Sequence, residues 1–161
     1  LNKNWLVLLF GVGISFGVSI VGGFVVQSMR AGIDGFYGYA LSRESLNQQT
    51  IETAMRGEFK WFLIFTVCIF GPIIEELVFR KAIFSLFKTN WPGVLVSTLV
   101  FGAIHVVNES SFTLFAYNIF AYLVGGLAFS LVYVYSKRNV VVTSVLHILH
   151  NTIAVLTLFL A

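Results

Sequence analysis

The sequence predicts an all-α membrane protein, a bundle of about five transmembrane helices around a buried polar site. Three observations carry that prediction. Of 161 residues, 58% are hydrophobic and only 11% are charged, less than half the roughly 25% of an ordinary soluble domain. The apolar residues fall in long runs divided by short polar ones. A chain of this size also has too little interior to hide so much apolar surface from water. The same composition excludes a disordered chain, and the single cysteine, Cys68, excludes a disulfide scaffold. The formal net charge is +3, but the basic residues are scattered at the ends of apolar runs. That distribution marks topology, not a phosphate-tracking surface, so no nucleic-acid partner is expected.

The elements follow from the runs in order, each set against the length of about 20 apolar residues needed to cross a bilayer as a helix. Trp5 to Val26 is the first, with Gly11, Gly13, Gly17, Gly22 and Gly23 offering a small-residue face for helix packing. It is too long for the apolar core of a signal peptide and ends without an A-x-A-like cleavage site, so a retained span is expected. Residues 27–60 carry Arg30, Asp34, Arg43, Glu44, Glu52, Arg56, Glu58 and Lys60 and are expected to be extramembrane. Trp61 to Phe87 is the second run, broken at Gly71-Pro72; Asn90-Trp91-Pro92-Gly93 then reads as a turn. Val94 to Val107, Phe112 to Tyr135 and Val140 to Leu160 complete the set. Two parts are expected: residues 1–60, an N-terminal transmembrane helix and loop, and residues 61–161, a four-helix core. Alternating sides puts Lys3, Lys81, Lys88, Lys137 and Arg138 together, with Arg80 snorkelling toward them and no acid among them. By the positive-inside rule the N-terminus of this membrane protein is expected to be cytoplasmic.

Ionisable residues inside apolar runs are costly and are therefore functional candidates. Here they are Glu75, Glu76, Arg80, Lys81, His105, His147 and His150, of which Lys81 is explained by snorkelling near a span end. Glu75 and Glu76 diverge by about 100° on a helix, and Arg80 lies four residues beyond Glu76 on the same face. Glu76 is thus expected to pair with Arg80, leaving Glu75 as a free carboxyl suited to general-base work. Pro72 is expected to kink the helix by leaving the carbonyl of Cys68 without its donor. His147 and Asn151, at i and i+4, share a face, so His147 rather than His150 is expected in the site. At about 1.5 Å per residue from the inner ends of their runs, Glu75 and His105 lie roughly 18–20 Å up, and His147 and Asn151 roughly 12–18 Å. All fall in the middle of a hydrocarbon core about 30 Å thick.

A carboxylate, two imidazoles and an amide can activate water with or without a metal such as zinc. No HExxH or G-x-S-x-G occurs, and Cys68 has no His near it in sequence. In the order Glu75-Glu76-Leu77-Val78-Phe79-Arg80, Phe101 to His105 and His147 to Asn151, the chain shows EExxxR, FxxxH and HxxxN motifs on three separate spans. This ordered set resembles the CPBP family, which includes type II CAAX prenyl proteases and the bacteriocin-processing or immunity enzymes also called Abi. The resemblance covers residues 61–160. It implies an intramembrane endopeptidase in which Glu75 activates water and His105 and His147 bind water or metal. It implies Asn151 as an oxyanion or ligand partner, and Glu76, Arg80 and Phe101 as their support. Expected partners are membrane lipid and a peptide or prenylated protein substrate. The alternatives are a non-enzymatic binding or immunity protein using the same cluster, and haem ligation by two histidines, which an absorption spectrum would reveal.

Overall fold

The computed structural model describes residues 4–38, 41 and 44–160; Lys3 and Arg43, counted above in the charge balance, lie outside the described residues. Among the described residues the elements are all helical. They are α1 (Asn4–Tyr37), α2 (Leu46–Ala54), α3 (Lys60–Ser85), α4 (Asn90–Val106), α5 (Phe112–Tyr135) and α6 (Val140–Leu160). Four of them, α1, α3, α5 and α6, are long and apolar enough to cross a membrane. The run expected as the third span forms the shorter α4 of 17 residues, or about 25 Å, at the lower limit for spanning.

The bundle is turned inside out relative to a soluble one. Phe24, Trp61, Phe62 and Leu95 face outward, while Ser15, Glu76, Arg80, Ser97, Asn118, Ser130, Thr143 and His147 are buried. In lipid, hydrophobicity does not hold helices together; close packing and hydrogen bonds do. Helix α5 is the hub, packing extensively against both α1 and α4. At Gly126 an added Cβ would stand 3.2 Å from the Thr98 carbonyl oxygen, so the two backbones pass where a side chain would crowd the neighbouring helix. The expected glycine face of α1 is realised in part. Gly11 lies against Leu146 and Gly22 against Val124, whereas nothing lies near the Cβ positions of Gly13, Gly17 and Gly23.

Three boundaries differ from expectation, each for a physical reason. Helix α1 continues past Val26 to Tyr37, because its charged residues find partners on α5. Arg30 donates to Asn118 Oδ1 at 3.0 Å and lies over the Tyr117 ring, while Asp34 accepts from the Tyr117 hydroxyl. Asn90-Trp91-Pro92-Gly93 is the first turn of α4 and not the connecting turn, since a proline there gives up only an N–H that has no helical partner. Arg80 does not snorkel; it is fully buried. The turn between α5 and α6 is instead closed by Arg138, whose guanidinium donates to Asn90 Oδ1 and to the carbonyls of Phe84 and Phe87. That contact ties the last turn of α3 to the first turn of α4 and satisfies carbonyls that a helix end leaves open.

Candidate active site

Helix α3 is not uniform. It widens into π-turns at Thr66–Phe70 and at Glu76–Ala82, on either side of Gly71-Pro72. The first corrects the expectation for Pro72. Gly71 N–H donates to the Thr66 carbonyl, five residues back, so in this register the acceptor left without a donor by Pro72 is the Val67 carbonyl, not that of Cys68. Asn151 of α6 supplies the donor, its Nδ2 standing 2.9 Å from Val67 O. The proline's missing bond thereby becomes a contact between α3 and α6.

The glutamate pair straddles the start of the second π-turn, Glu76 being its first residue and Glu75 the residue before it. Glu76 is fully buried, with Oε2 3.3 Å from Arg80 Nε and Oε1 2.9 Å from His147 Nδ1. One carboxylate thus holds two cationic or donor groups from two helices. Arg80 also donates to the Gly126 carbonyl at 3.0 Å, and its guanidinium lies 4.8 Å from the centre of the Phe101 ring. Aromatic faces accept a buried cation favourably, so Arg80 is enclosed by a carboxylate, a carbonyl and rings. The bond from Glu76 sets the His147 tautomer: Nδ1–H donates to the carboxylate, leaving the Nε2 lone pair to face the cavity. Stacking on Phe129, centroid to centroid 4.2 Å, fixes the ring plane. Glu76, and not Asn151 one turn along on the same helix, thus orients His147, while Asn151 turns to Val67.

His105 is set in the same way by a different group. Its Nδ1 donates to the Phe101 carbonyl at 2.7 Å, one turn back on α4, so its Nε2 is also directed outward. Glu75 stands between the two rings. Its Oε2 is 3.7 Å from His147 Nε2 and 4.0 Å from His105 Nε2, and its side chain is 28% exposed where that of Glu76 is closed off. At these separations the atoms do not bond each other directly, and the carboxylate and both rings open on the same space. The three groups, with Asn151 and His150, line one cavity of about 410 Å³, roofed by Gln48, Ile51 and Met55 at and beyond α2. His150 stands apart from the carboxylates. Its ring stacks on Phe16 at 4.0 Å, and its buried Nε2 has no protein partner.

Glu75, His105 and His147 are also the groups on which a zinc ion would rest. Two ligands of a tetrahedral zinc, each bound at about 2.1 Å, lie roughly 3.4 Å apart. The observed 3.7 and 4.0 Å are wider, and among the described residues no three His, Cys, Asp or Glu side chains close to metal-binding geometry. As they stand, the side chains do not fit the ion.

A helical membrane bundle with a glutamate and two oriented imidazoles lining one internal cavity is the class of protein that fold and site define. The comparisons place it more narrowly. Residues 57–153 match the family model described as type II CAAX prenyl endopeptidase Rce1-like, and the chain belongs to that family. It is 31% identical over 151 residues to YdiL of Bacillus subtilis, which is described in its name as a membrane peptidase; the match covers 88% of this chain and 57% of that protein. It is 36% identical over 102 residues to the membrane-embedded CAAX protease MroQ of Staphylococcus aureus, covering 58% of this chain and 38% of MroQ. The chain spans between about a quarter and somewhat over half the length of the relatives it matches. No solved structure matches it.

Proposed function

We propose that the chain is a glutamate-dependent intramembrane endopeptidase that hydrolyses a peptide bond with activated water. One observation carries the reading. Glu75 alone of the two carboxylates opens to the cavity, and two imidazole nitrogens with lone pairs directed at it stand 3.7 and 4.0 Å away. A water between them donates one proton to Glu75 Oε2 and the other to an imidazole Nε2. As its oxygen attacks the carbonyl carbon, Glu75 takes up a proton and the carbonyl oxygen becomes an oxyanion. The amide of Asn151 has a second N–H besides the one bound to Val67, and this is the donor assigned to the oxyanion. The C–N bond then breaks as the Glu75 proton passes to the leaving nitrogen, directly or through an imidazole, giving a carboxylate and an amine.

The substrate assigned is a membrane peptide or membrane protein, of the prenylated or bacteriocin-related kinds that the resemblance and the name of MroQ suggest. It is reached from within the lipid, with the N-terminus of the protease cytoplasmic. The test uses Glu75→Gln, which keeps the shape of the base and removes its charge. In native membranes this variant should retain substrates that a photo-crosslinker captures, and purified wild-type protein should cleave them while the variant does not. Equal cleavage by both proteins would remove the proposal, and capture without cleavage by either would favour a binding protein.

A further inference from the structure

The roof of the cavity and one of its imidazoles are joined by a side chain that the EExxxR, FxxxH and HxxxN motifs do not include. Tyr122, on α5, stacks its ring against His105 with centroids 4.7 Å apart and planes at 22°. The imidazole also meets the Phe101 ring, centroid to centroid 4.4 Å. The same tyrosine carries its hydroxyl to the start of α2. Its oxygen lies 2.6 Å from Ser45 Oγ and accepts from Asn47 Nδ2 at 3.4 Å. Ser45 is the N-cap of α2, its oxygen accepting from Gln48 N–H. Glu109 anchors the same turn by accepting from Leu46 N–H. From there α2 runs across the cavity, and Ile51 and Met55 pack on Cys68 and Val155 of α3 and α6. Tyr122 and Gln48 also line a second cavity of about 280 Å³ beside Arg30 and Asn118, so they form the partition between the two spaces.

Resting on the proposed hydrolytic reading, we propose that Tyr122 is a positioning residue: its ring holds the plane of His105, and its hydroxyl holds α2 over the catalytic cavity. Two jobs on one side chain can be separated. Tyr122→Phe keeps the stacked ring and removes only the tether, whereas Tyr122→Leu removes both. Losing the short bond to Ser45, with the longer one from Asn47 adding little, loosens the local contact by up to about tenfold. In detergent, amide exchange over residues 46–54 should therefore speed up by about that factor in Tyr122→Phe, with residues 140–160 unchanged. For catalysis, the probe is a quenched-fluorescent peptide selected from a mixed-sequence library because wild-type protein cleaves it and Glu75→Gln does not. Tyr122→Phe should change KM several-fold while kcat stays within about twofold; Tyr122→Leu should lower kcat by about tenfold or more, as misoriented catalytic groups do. A merely structural role would lower the melting temperature of both variants and leave kcat alone. Unchanged exchange in Tyr122→Phe, or a wild-type kcat in Tyr122→Leu, overturns the inference. If no library peptide separates wild type from Glu75→Gln, the hydrolytic reading fails instead, and the exchange measurement still decides the tether.

Discussion

Glu76→Gln is the substitution from which the most can be calculated. The side chain is fully buried, as is that of its partner Arg80, and their closest approach is 3.3 Å. Gln keeps the volume and can still accept from His147 Nδ1, so neither a cavity nor a lost hydrogen bond dominates. What is lost is the negative charge beside a guanidinium that has no route to water. Breaking a buried pair by removing one partner costs about 3–5 kcal/mol; the Gly126 carbonyl and the Phe101 ring offset part of this and put the expected value near the lower end. For a chain of this length 3 kcal/mol corresponds to a fall of roughly 10 °C in melting temperature. The assay is thermal unfolding in detergent, read by intrinsic fluorescence, with Glu75→Gln as the reference. Glu75 faces the cavity, so its substitution should shift the transition by no more than about 2–3 °C, an effect of under 1 kcal/mol. Arg80→Met in the Glu76→Gln background should recover much of the loss, because it removes the unpaired cation. If Glu76→Gln and Glu75→Gln melt together, Arg80 does not depend on Glu76 and the division of labour within the glutamate pair is wrong.

Asn151→Ala should destabilise the protein by about 1–3 kcal/mol, since it leaves the Val67 carbonyl without a donor in a lipid-facing bundle; the same thermal assay measures it, and an unchanged transition would show that water or another group satisfies Val67. His147→Ala should abolish cleavage of the selected peptide while His150→Ala leaves measurable turnover at matched protein amounts, because only His147 is placed between the two carboxylates; the reverse order would mean that the cavity uses the other face of α6.

Much of this arrangement was legible in the sequence, and the gaps have physical reasons. The four long spans are apolar runs whose lengths speak for themselves. The shared depth of Glu75, His105, His147 and Asn151 follows from helix rise and from where each run begins. Helix α1 was read too short because Arg30 and Asp34 look like the start of a loop; only the position of α5 shows that Asn118 and Tyr117 receive them. Nothing in the sequence announces the π-turns. Gly71-Pro72 marks a break in α3, but a proline marks a broken bond without saying which carbonyl is freed. That depends on the register of the turn before it. Tyr122 gave no signal, since one aromatic residue within an apolar run resembles any lipid-facing ring until its stacking on His105 is seen. Adjacent Glu75 and Glu76 were separable because neighbours on a helix diverge; the second partner of Glu76 was not, because His147 lies on the last helix.

That second partner changes how the three motifs relate to one another. If each motif supplied its own catalytic group, substitutions would sort cleanly into active-site and structural ones. Instead Glu76 belongs to the motif on α3 and orients the imidazole on α6, while Asn151 belongs to the motif on α6 and completes the backbone of α3. Each of the two helices therefore satisfies a polar group of the other, at positions 71 and 84 residues apart. In a bilayer such bonds also hold the helices in register, since apolar surface contributes little to their association. The bonds that orient the imidazole and the amide are then the same bonds that dock α3 on α6. Loss of activity in Glu76 or Asn151 variants consequently carries no mechanistic meaning until the melting transition has been measured beside it. Glu75, which makes neither interhelical bond, is the position where activity and stability come apart.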